Sequence, residues 1–382
     1  MNASNAQLSR PHGTRPEDRA RMLDLVNQVF LRSKGKAGDM AVHFPVLFAD
    51  ENLENCRIIT ADGRPVSHIA YLTRDAVVGP ATIAVALIGA VCTDEQYRGR
   101  GLATRILDDC EERMRRSGVD VVVISGRRGL YTRRGARRAG ICRTFQLTED
   151  SPRPDAAPIE VRPGTLADRP AMQRLYDRRA VRFVRSADDW DGFLRSTHRG
   201  ICVNPLYLAE RHGEVVAYVS LDPQRESVPP TNDAYEWAGR AEAVAALMAR
   251  LPGLTGRRLE ITAQVRADDA LIERLVSAGL EPETTDFWRT VKVLRPAALF
   301  EKLRPHLPAP ASQVVVEPAE AEGARFRLGD DELELPVECL ARLFFGDIRA
   351  ETGQMLDGAG ELGAALKRGL PVTLPRFGYN YT

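Results

Sequence analysis

The stretch QYRGRGLATRILDDCEERM, residues 96–114, places two glycines one residue apart directly before a helical pattern. A glycine at the start of a helix costs about 1 kcal/mol unless the backbone requires it there. Because Gly99 and Gly101 lack a Cβ atom, the N–H groups of this turn can approach a ligand closely. The helix that follows adds unpaired N–H donors and a partial positive charge, which together favour an anion such as pyrophosphate.

The segments on either side of the glycines indicate an α/β domain with a mixed sheet that closes near residue 150. Asp62-Gly63 separates two strand-like runs and is a strong hairpin signal. A run that is apolar on both faces precedes the glycines and predicts a central strand, and a second buried-type strand follows the helix. The predicted strands are residues 57–60, 66–73, 81–93, 119–126 and 141–147.

Two nucleotide-binding motifs are excluded at this position. A P-loop requires Gly-Lys-Ser/Thr after the glycines, whereas this chain has Gly-Leu-Ala. A Rossmann fingerprint requires a third glycine at position 104, which is Thr104. A tight turn with solvated arginines stays open as the alternative to an anion site.

Residues 96–103 resemble the acyl-CoA-binding motif of the Gcn5-related N-acetyltransferase (GNAT) family, and the flanking strands match the order of that fold. The resemblance implies acetyl-CoA as co-substrate, lying along the backbone of Ala90, Val91 and Cys92. It also implies a set of residues around the pyrophosphate, namely Arg98, Gly99, Arg100, Gly101, Ala103 and Thr104.

Tyr131, in the segment GLYTRRGARRAG, occupies the place where many members of this family carry a catalytic tyrosine. By resemblance, it would protonate the departing CoA thiolate. The chemistry is reasonable because a phenol with a pKa of about 10 stays protonated at pH 7 and can donate. The alternative is an aromatic side chain that only packs.

Two further units follow a linker rich in proline and aspartate at residues 149–158. Residues 159–293 repeat the order of elements but lack the glycine pair, and residues 295–382 form a third, smaller unit. This layout, with "ENLENCRIITADGRPVSHIAY" and the final "FGYNYT", resembles the enhanced-intracellular-survival group of acetyltransferases.

The resemblance to this group implies tandem GNAT folds with mixed, mostly antiparallel sheets and a small sterol-carrier-like α/β domain at the C-terminus. It also implies a homo-oligomer, commonly a hexamer, that acetylates amines of aminoglycosides, peptides or lysines. The group often has an aromatic residue where this chain has Arg134 and Ala136, a departure that bears on substrate preference.

A base is needed because a lysine-like amine, with a pKa of about 10.4, must lose a proton before it attacks. In the resembling group the base is the terminal carboxylate, here Thr382, folded back into the first domain. Burial would raise the pKa of that carboxyl and make it a better base. The alternative is a frayed terminus, although the segment LPRFGYNYT is apolar and aromatic enough to be buried.

The acceptor pocket is expected opposite the thioester, near the first helices. Asp39 or Glu51 could attract a cationic amine there. Aromatic residues are more often core than pocket wall. The candidate walls are Phe30, Phe44, Phe48, Tyr379 and Tyr381.

The chain has 382 residues, too many for one ordinary core, so two or three domains are expected. Lys and Arg number 53 against 52 Asp and Glu, and this net charge of +1 argues against nucleic acid or an anionic membrane as partner. Six scattered cysteines without CxxC spacing indicate reduced thiols and a cytoplasmic protein. No metal-ligand spacing, signal peptide or membrane helix is found.

Six arginines crowd around the tyrosine segment and form either a solvated basic loop or a patch for an anionic ligand. The competing function is a scaffold whose third domain binds a lipid or a partner while the CoA site is vestigial. The intact motif at residues 96–103 argues against that scaffold. The arginines are Arg127, Arg128, Arg133, Arg134, Arg137 and Arg138.

Overall fold

The structure is a computed structural model that describes residues 6–198, 200–201, 203–224, 226–287, 289–346, 348 and 351–381. It confirms the expected α/β class with mixed sheets. The helices are α1 Arg19–Phe30, α2 Met40–His43, α3 Leu102–Arg116, α4 Gly129–Thr132, α5 Arg169–Asp177, α6 Ala187–Arg195, α7 Ala241–Met248, α8 Leu251–Thr255, α9 Asp269–Ser277, α10 Pro296–Leu303, α11 Val337–Phe345, α12 Glu351–Asp357 and α13 Gly360–Gly369.

The strands form three separate sheets. They are β1 His12–Gly13, β2 Cys56–Ala61, β3 Arg64–Val78, β4 Ala81–Thr93, β5 Val121–Ile124, β6 Arg137–Arg138, β7 Ile141–Leu147, β8 Glu160–Pro163, β9 Val181–Phe183, β10 Leu206–Arg211, β11 Glu214–Gln224, β12 Thr231–Gly239, β13 Arg258–Gln264, β14 Glu283–Asp286, β15 Thr290–Val293, β16 Val315–Pro318, β17 Ala324–Leu328 and β18 Asp331–Leu335.

The first sheet has the order β1-β2-β3-β4-β5-β15-β6, with β9 paired to β3. Strands β2 and β3 form the hairpin predicted around Asp62-Gly63. Strands β4 and β5 run parallel, and the crossover between them is α3. The apolar positions of α3 recur at helical spacing, which lets one face of the helix be buried while its charged face meets solvent. The buried apolar residues are Leu102, Ile106, Leu107, Cys110 and Met114.

The second sheet has the order β14-β7-β13-β12-β11-β10-β8 and repeats the pattern of the first. Its neighbours pair antiparallel except β12 and β13, which run parallel and are connected through α7 and α8. Each of these two sheets therefore contains one parallel pair of strands, joined by a helical crossover, among antiparallel strands. The two sheets are thus similar in their strand pairing.

The two sheets exchange strands, which the sequence did not predict. Residues 141–147 were expected as the last strand of the first unit, but β7 lies between β13 and β14 in the second sheet. Conversely β15, expected in the second unit, lies between β5 and β6 in the first. Residues 290–293 are buried along their whole length, as an interior strand requires. Apolar patterning reveals that a strand is buried but not which sheet buries it.

The third sheet is the meander β16-β17-β18, covered by helices of the C-terminal unit. Its core contains an aromatic group in which Phe300, Phe326 and Phe344 pack with ring centroids 6.4–6.5 Å apart. These rings belong to one apolar cluster with Val85 and Leu87 of β4, so the third unit packs on the first sheet. Within the described part of the chain, none of the helices has the length and apolar character needed to cross a membrane.

Candidate active site

Strand β4 carries a bulge where the thioester arm of the co-substrate is expected. Ala70 pairs with Gly89 and His68 pairs with Cys92, so Ala90 and Val91 together lie opposite a single residue of β3. Ala90 has a positive φ of 51°, a conformation that residues with a Cβ atom rarely adopt. A bulge interrupts the ladder and leaves backbone polar groups for other partners. The strained conformation at Ala90 is therefore typical of a binding position.

His68 holds this bulge from the neighbouring strand, and sequence reasoning missed it. Its ring is fully buried, and Nδ1 donates to the carbonyl oxygen of Ala90 at 2.8 Å. Burial lowers the pKa of His68 to about 4, against the opposing effect of the Ala90 hydrogen bond. The ring is therefore neutral at pH 7, with its proton on the nitrogen that meets the carbonyl. Its Nε2 has no hydrogen-bond partner among the described residues.

Strands β4 and β5 separate just before the bulge. Their parallel pairing runs from Val85–Val121 to Ile88–Ile124, whereas β4 continues to Thr93. The strands thus open into a cleft at their carboxyl ends, a position where α/β sheets commonly bind ligands. Burial raises the pKa of the Cys92 thiol in this strand to about 12, so the thiol stays protonated and is a poor nucleophile.

The glycine turn connects this cleft to α3. Gly99 and Gly101 have φ values of 76° and 72°, in the left-handed region that favours glycine. The first helical hydrogen bond runs from Arg105 N to Gly101 O at 3.0 Å. The N–H groups of Ala103 and Thr104 therefore precede the helical ladder and have no carbonyl partner within the helix. The turn presents donors at the positive end of the helix dipole, as predicted.

Two exposed arginines flank the turn. The side chain of Arg98 is 57% exposed and donates from Nε to the Thr93 carbonyl oxygen at 3.3 Å. The guanidinium of Arg100 lies over the ring of Tyr97, 5.1 Å from its centroid. Both cations are thus near the donors of the turn and can supplement an anion site.

Tyr131 lies on the short helix α4, and only 3% of its surface is exposed. It belongs to the same buried cluster as Val91 of the bulge, Leu102 at the start of α3 and Ile124 at the end of β5. The structure therefore brings the tyrosine, the bulge and the helix start into one region. These residues lie far apart in the sequence, and the α/β crossover unites them.

Arg134 and Ala136, which replace the aromatic residues of the resembling group, fix the tyrosine segment in place. Arg134 forms ion pairs with Asp108 at 2.6 Å and Glu111 at 3.1 Å, both on α3. Glu111 also binds Lys292 of β15 at 2.8 Å. Ala136 is buried in the core. Both positions are therefore part of the packing between the tyrosine segment and α3.

The basic cluster around the tyrosine segment is in part internally paired. Besides Arg134, Arg137 donates to the carbonyl oxygens of Thr132 and Ala136. Arg138 lies 3.8 Å from a carboxylate oxygen of Asp286. These contacts favour the structural interpretation of this half of the cluster over an anion patch.

A cavity of about 860 Å³ lies beside the bulge and is the best candidate for the acceptor site. Ala90 is one of its walls, so it adjoins the expected position of the thioester. The first unit supplies α1, α2, the loops around them and the bulge of β4, and the second unit supplies the segment after α6 and the end of β11 with the residues that follow it. The lining residues are Phe30, Leu31, Lys36, Ala37, Met40, His43, Phe44, Leu47, Ala90, Thr197, His198, Asn204, Asp222, Pro223, Gln224 and Glu226.

Contacts between the units hold this cavity together. The ring of Phe44 lies 4.8 Å from that of His198, measured between centroids. Ser196 Oγ donates to the carbonyl oxygen of His43 at 2.6 Å. Burial lowers the pKa of His43, against the effect of nearby Asp39, so this imidazole is mostly neutral at pH 7. The ionisable side chains of the lining also include two carboxylates, Asp222 and Glu226, and one lysine, Lys36.

Two of the aromatic residues predicted for the acceptor pocket line this cavity. Phe30 and Phe44 line the cavity. Phe48 is instead a core residue, 1% exposed, whose ring lies 6.0 Å from His68. Tyr379 is fully buried in the second unit, and the side chain of Tyr381 lies outside the described residues.

The acidic residues of the cavity differ from those predicted. Asp39 caps α2, where its side chain accepts from Ala41 N, and Glu51 is exposed on a 3-10 helix outside the lining. Asp222 and Glu226 come from the second unit, which sequence reasoning did not connect to this site. Because the two units meet only in the folded chain, no local pattern could identify these residues.

The C-terminal segment packs into the second unit over its last described residues. Tyr379 N donates to Glu236 Oε2 at 3.0 Å, and the hydroxyl of Tyr379 bonds Ser220 at 2.6 Å. Asn380 Oδ1 accepts from Arg185 Nε at 2.9 Å. The segment that precedes the terminus is therefore buried, and the polar contacts of Tyr379 and Asn380 are with the second unit. Thr382 lies outside the described residues.

A buried ion pair anchors that segment. Arg185 binds Glu236 through two hydrogen bonds of 3.0 and 2.6 Å, and their side chains are 0% and 6% exposed. Tyr218 donates its hydroxyl to Glu236 at 2.9 Å, and Arg185 stacks on Tyr176. Burial would raise the pKa of Glu236, but Arg185 and the hydrogen bonds outweigh it and lower that pKa. The carboxylate is therefore ionised and fully hydrogen-bonded.

Comparison with known families finds one match, which lies within the first unit. Residues 11–139 match the family model described as "Acetyltransferase (GNAT) domain". This range includes the bulge, the glycine turn, α3 and Tyr131. No curated protein matches the chain.

Solved structures with the same fold extend over almost the whole chain. A GCN5-related N-acetyltransferase from Anabaena variabilis has a TM-score of 0.69 at 15% identity, covering 97% of this chain and 98% of its own. A probable N-acyltransferase from Enterococcus faecalis has a TM-score of 0.71 at 15% identity, covering 97% and 100%. Eis1 from Mycobacterium abscessus has a TM-score of 0.69 at 14% identity, covering 98% and 99%. At such identities the likeness concerns the fold alone.

Proposed function

We propose, from the GNAT acetyltransferase domain that residues 11–139 form, that this protein transfers an acetyl group from acetyl-CoA to a primary amine. The observation that carries the proposal is the coincidence of three features in one domain. They are the strained bulge at Ala90, the opening between β4 and β5, and the glycine turn before α3. Together these features offer backbone donors for a thioester arm and for a pyrophosphate.

In the proposed complex the backbone of Ala90, Val91 and Cys92 receives the thioester arm. The pyrophosphate is held by the turn and by the start of α3. The acceptor amine attacks the thioester carbonyl carbon, the carbon–sulfur bond breaks, and Tyr131 donates a proton to the sulfur. The pyrophosphate residues in this proposal are Arg98, Gly99, Arg100, Gly101, Ala103 and Thr104.

We assign the acceptor to the 860 Å³ cavity beside Ala90. Its volume lies within the range of small-molecule sites, and its wall holds Asp222 and Glu226 against one lysine. A carboxylate pair favours a cation, so the proposed acceptors are small aminoglycoside-like molecules, or the lysine of a peptide.

The terminal carboxylate of Thr382 is the proposed base that removes the amine proton. The buried course of the preceding residues supports this role, since Tyr379 and Asn380 are held by Glu236 and Arg185. Tyr379 also bonds Ser220, which lies two positions before Asp222 on β11. The last described residues are thus close to the wall of the acceptor cavity.

The protein is further proposed to act in the cytoplasm as a homo-oligomer, a hexamer by analogy with the resembling group, with a sterol-carrier-like third domain. The strand order of the third unit, a meander covered by helices, supports only its α/β character.

Gly101→Ala is expected to raise the Kd for acetyl-CoA by roughly 5–30-fold, because alanine costs about 1–2 kcal/mol at the φ of 72° that the turn requires. Isothermal titration calorimetry with acetyl-CoA measures this. Gly213→Ala is the matched control, since Gly213 has φ 75° and equally open space in a hairpin of the second unit. Absence of acetyl-CoA binding by the native chain would instead favour the lipid- or partner-binding scaffold.

Extending the chain by several residues after Thr382 is expected to lower kcat for amine acetylation at least 100-fold. A peptide bond replaces the carboxylate at that position, so the proposed base is lost. The assay is CoA release in the presence of a panel of amines, and an extension of the N-terminus by the same residues is the control. Full activity of the C-terminally extended chain would refute the terminal base.

A further inference from the structure

The second sheet retains the geometry that forms the cofactor cleft of the first. Its parallel pairing ends at Asp233–Glu260, while β12 and β13 both continue beyond that pair. Leu221 pairs with Ala234 and Ser220 pairs with Glu236, so Tyr235 is an extra residue in β12. In the first sheet the bulge begins two residues after Ile88, and here it falls two residues after Asp233. The second unit thus has both the opening and the bulge.

The chain's own C-terminal segment, here residues 373–379, occupies this opening. Arg376 donates to the carbonyl oxygens of Thr262 on β13 and Ala234 on β12, two strands that no longer pair with each other there. Gln264 Nε2 donates to the Leu374 carbonyl oxygen at 3.0 Å. The extra residue Tyr235 donates its hydroxyl to the Gly378 carbonyl oxygen.

The segment fills the opening closely. Tyr379 is 0% exposed in the core of the second unit, and the guanidinium of Arg376 lies 4.1 Å from the centroid of a Trp237 ring. Leu374 and Phe377 point the other way and pack in the core shared by the first sheet and the third unit. The space left between the segment and β12 measures about 20 Å³, enough for about one water molecule. A pantetheine arm therefore cannot lie along β12 while the segment is in place.

A second cavity, of about 290 Å³, remains beside the start of α7, the counterpart of the pyrophosphate position. The segment before α7 lacks the glycine pair found before α3 and contains a single glycine, Gly239. Arg179, which lines this cavity, donates to the Trp237 carbonyl oxygen at 3.1 Å and binds Asp268 at 2.9 Å. The Trp237 carbonyl oxygen of β12 is thus already hydrogen-bonded to a side chain of the same unit.

We propose that the cleft of the second unit is a binding site for the chain's own C-terminal segment. The site holds the end of the chain in one position, and it leaves one acyl-CoA site for each chain. Only the count of acyl-CoA sites rests on the proposed function. The loss of the glycine motif from the second unit then reflects a change of ligand, from a cofactor to a peptide segment.

Hydrogen–deuterium exchange of the full chain tests the segment directly. Arg376→Ala removes the donor that bridges β12 and β13, so amides in peptides covering residues 374–380 should exchange at least tenfold faster. Arg368→Ala, at an exposed position of α13, is the matched control and should leave this exchange unchanged. Unchanged protection in the Arg376 variant would overturn the proposal. If that variant does not fold, Tyr235→Phe removes one hydroxyl donor and should raise exchange about threefold, and no increase would overturn it.

Titration of the native chain with acetyl-CoA provides the second measurement. One site per chain is expected, and two sites per chain would overturn the proposal. Absence of binding would contradict the proposed function of the first unit, whereas the exchange experiment would still decide the role of the second cleft.

Discussion

Replacing Tyr131 by Phe is expected to lower kcat/KM for amine acetylation by roughly 10²–10⁴-fold, the range that a positioned general acid contributes. Without the phenol the leaving thiolate must depart unprotonated or take its proton from water. The change removes one oxygen atom and leaves the ring in its buried cluster with Val91 and Leu102. The affinity for acetyl-CoA should therefore stay near that of the native chain. Steady-state kinetics and calorimetry measure the two quantities.

Tyr71→Phe is the matched control for this variant. Tyr71 is equally buried, at 3% exposure, and lies on β3 of the same sheet. Burial raises the pKa of its hydroxyl, which also bonds Arg113. Loss of this hydroxyl should change activity by less than about threefold. Wild-type-like kcat/KM in the Tyr131 variant would show that Tyr131 only packs, which is the alternative that the sequence left open.

Glu236→Gln is expected to lower the free energy of unfolding by about 3–5 kcal/mol, the usual cost of removing one partner from a buried ion pair. Arg185, with a side chain that is 0% exposed, would remain charged without its carboxylate. The melting temperature should fall on the order of 10 °C. Because Tyr379 N donates to the same carboxylate, the C-terminal segment should loosen in this variant as well.

Glu242→Gln is the control for Glu236→Gln, since its partner Arg240 is 77% exposed and such pairs contribute about 0–1 kcal/mol. The pH dependence gives an independent test. The pKa of Glu236 is lowered in the folded state, so the native chain keeps this stabilisation above pH 4.5 and loses it as the pH falls further. The Glu236 variant should lack this acid-side loss. Equal melting temperatures of the two variants would contradict the proposed stabilisation by the buried Arg185–Glu236 pair.

The second unit has two roles in this account of the molecule. It supplies Asp222, Glu226 and His198 to the cavity beside Ala90, the proposed acceptor site, although it lacks the glycine motif. It also holds the C-terminal segment against β12 and β13. Substrate preference is therefore expected to respond to substitutions in the second unit, whereas donor affinity should depend on the first.

The glycine turn and the helix after it could be predicted because their signals are local. Gly99 and Gly101 are separated by one residue in sequence, and their positive φ values follow from the turn itself. The amphipathic period of α3 and the Asp62-Gly63 hairpin are likewise decided within about 15 residues. His68 was not predicted, although it lies on the strand next to β4. Its role depends on the bulge, which arises from the pairing of two strands and is not visible in the apolar pattern of either strand alone.

The sequence by itself determined the α/β class and the glycine turn before α3, since each depends on the conformational preference of short segments. Tertiary structure alone decided the exchange of β7 and β15, the acidic wall at Asp222 and Glu226, and the occupant of the second cleft. Each of these depends on contacts between distant segments, such as Arg376 with Thr262, 114 residues apart. Apolar periodicity predicts which face of a helix or strand is buried. Which other element covers that face is decided only when the whole chain packs.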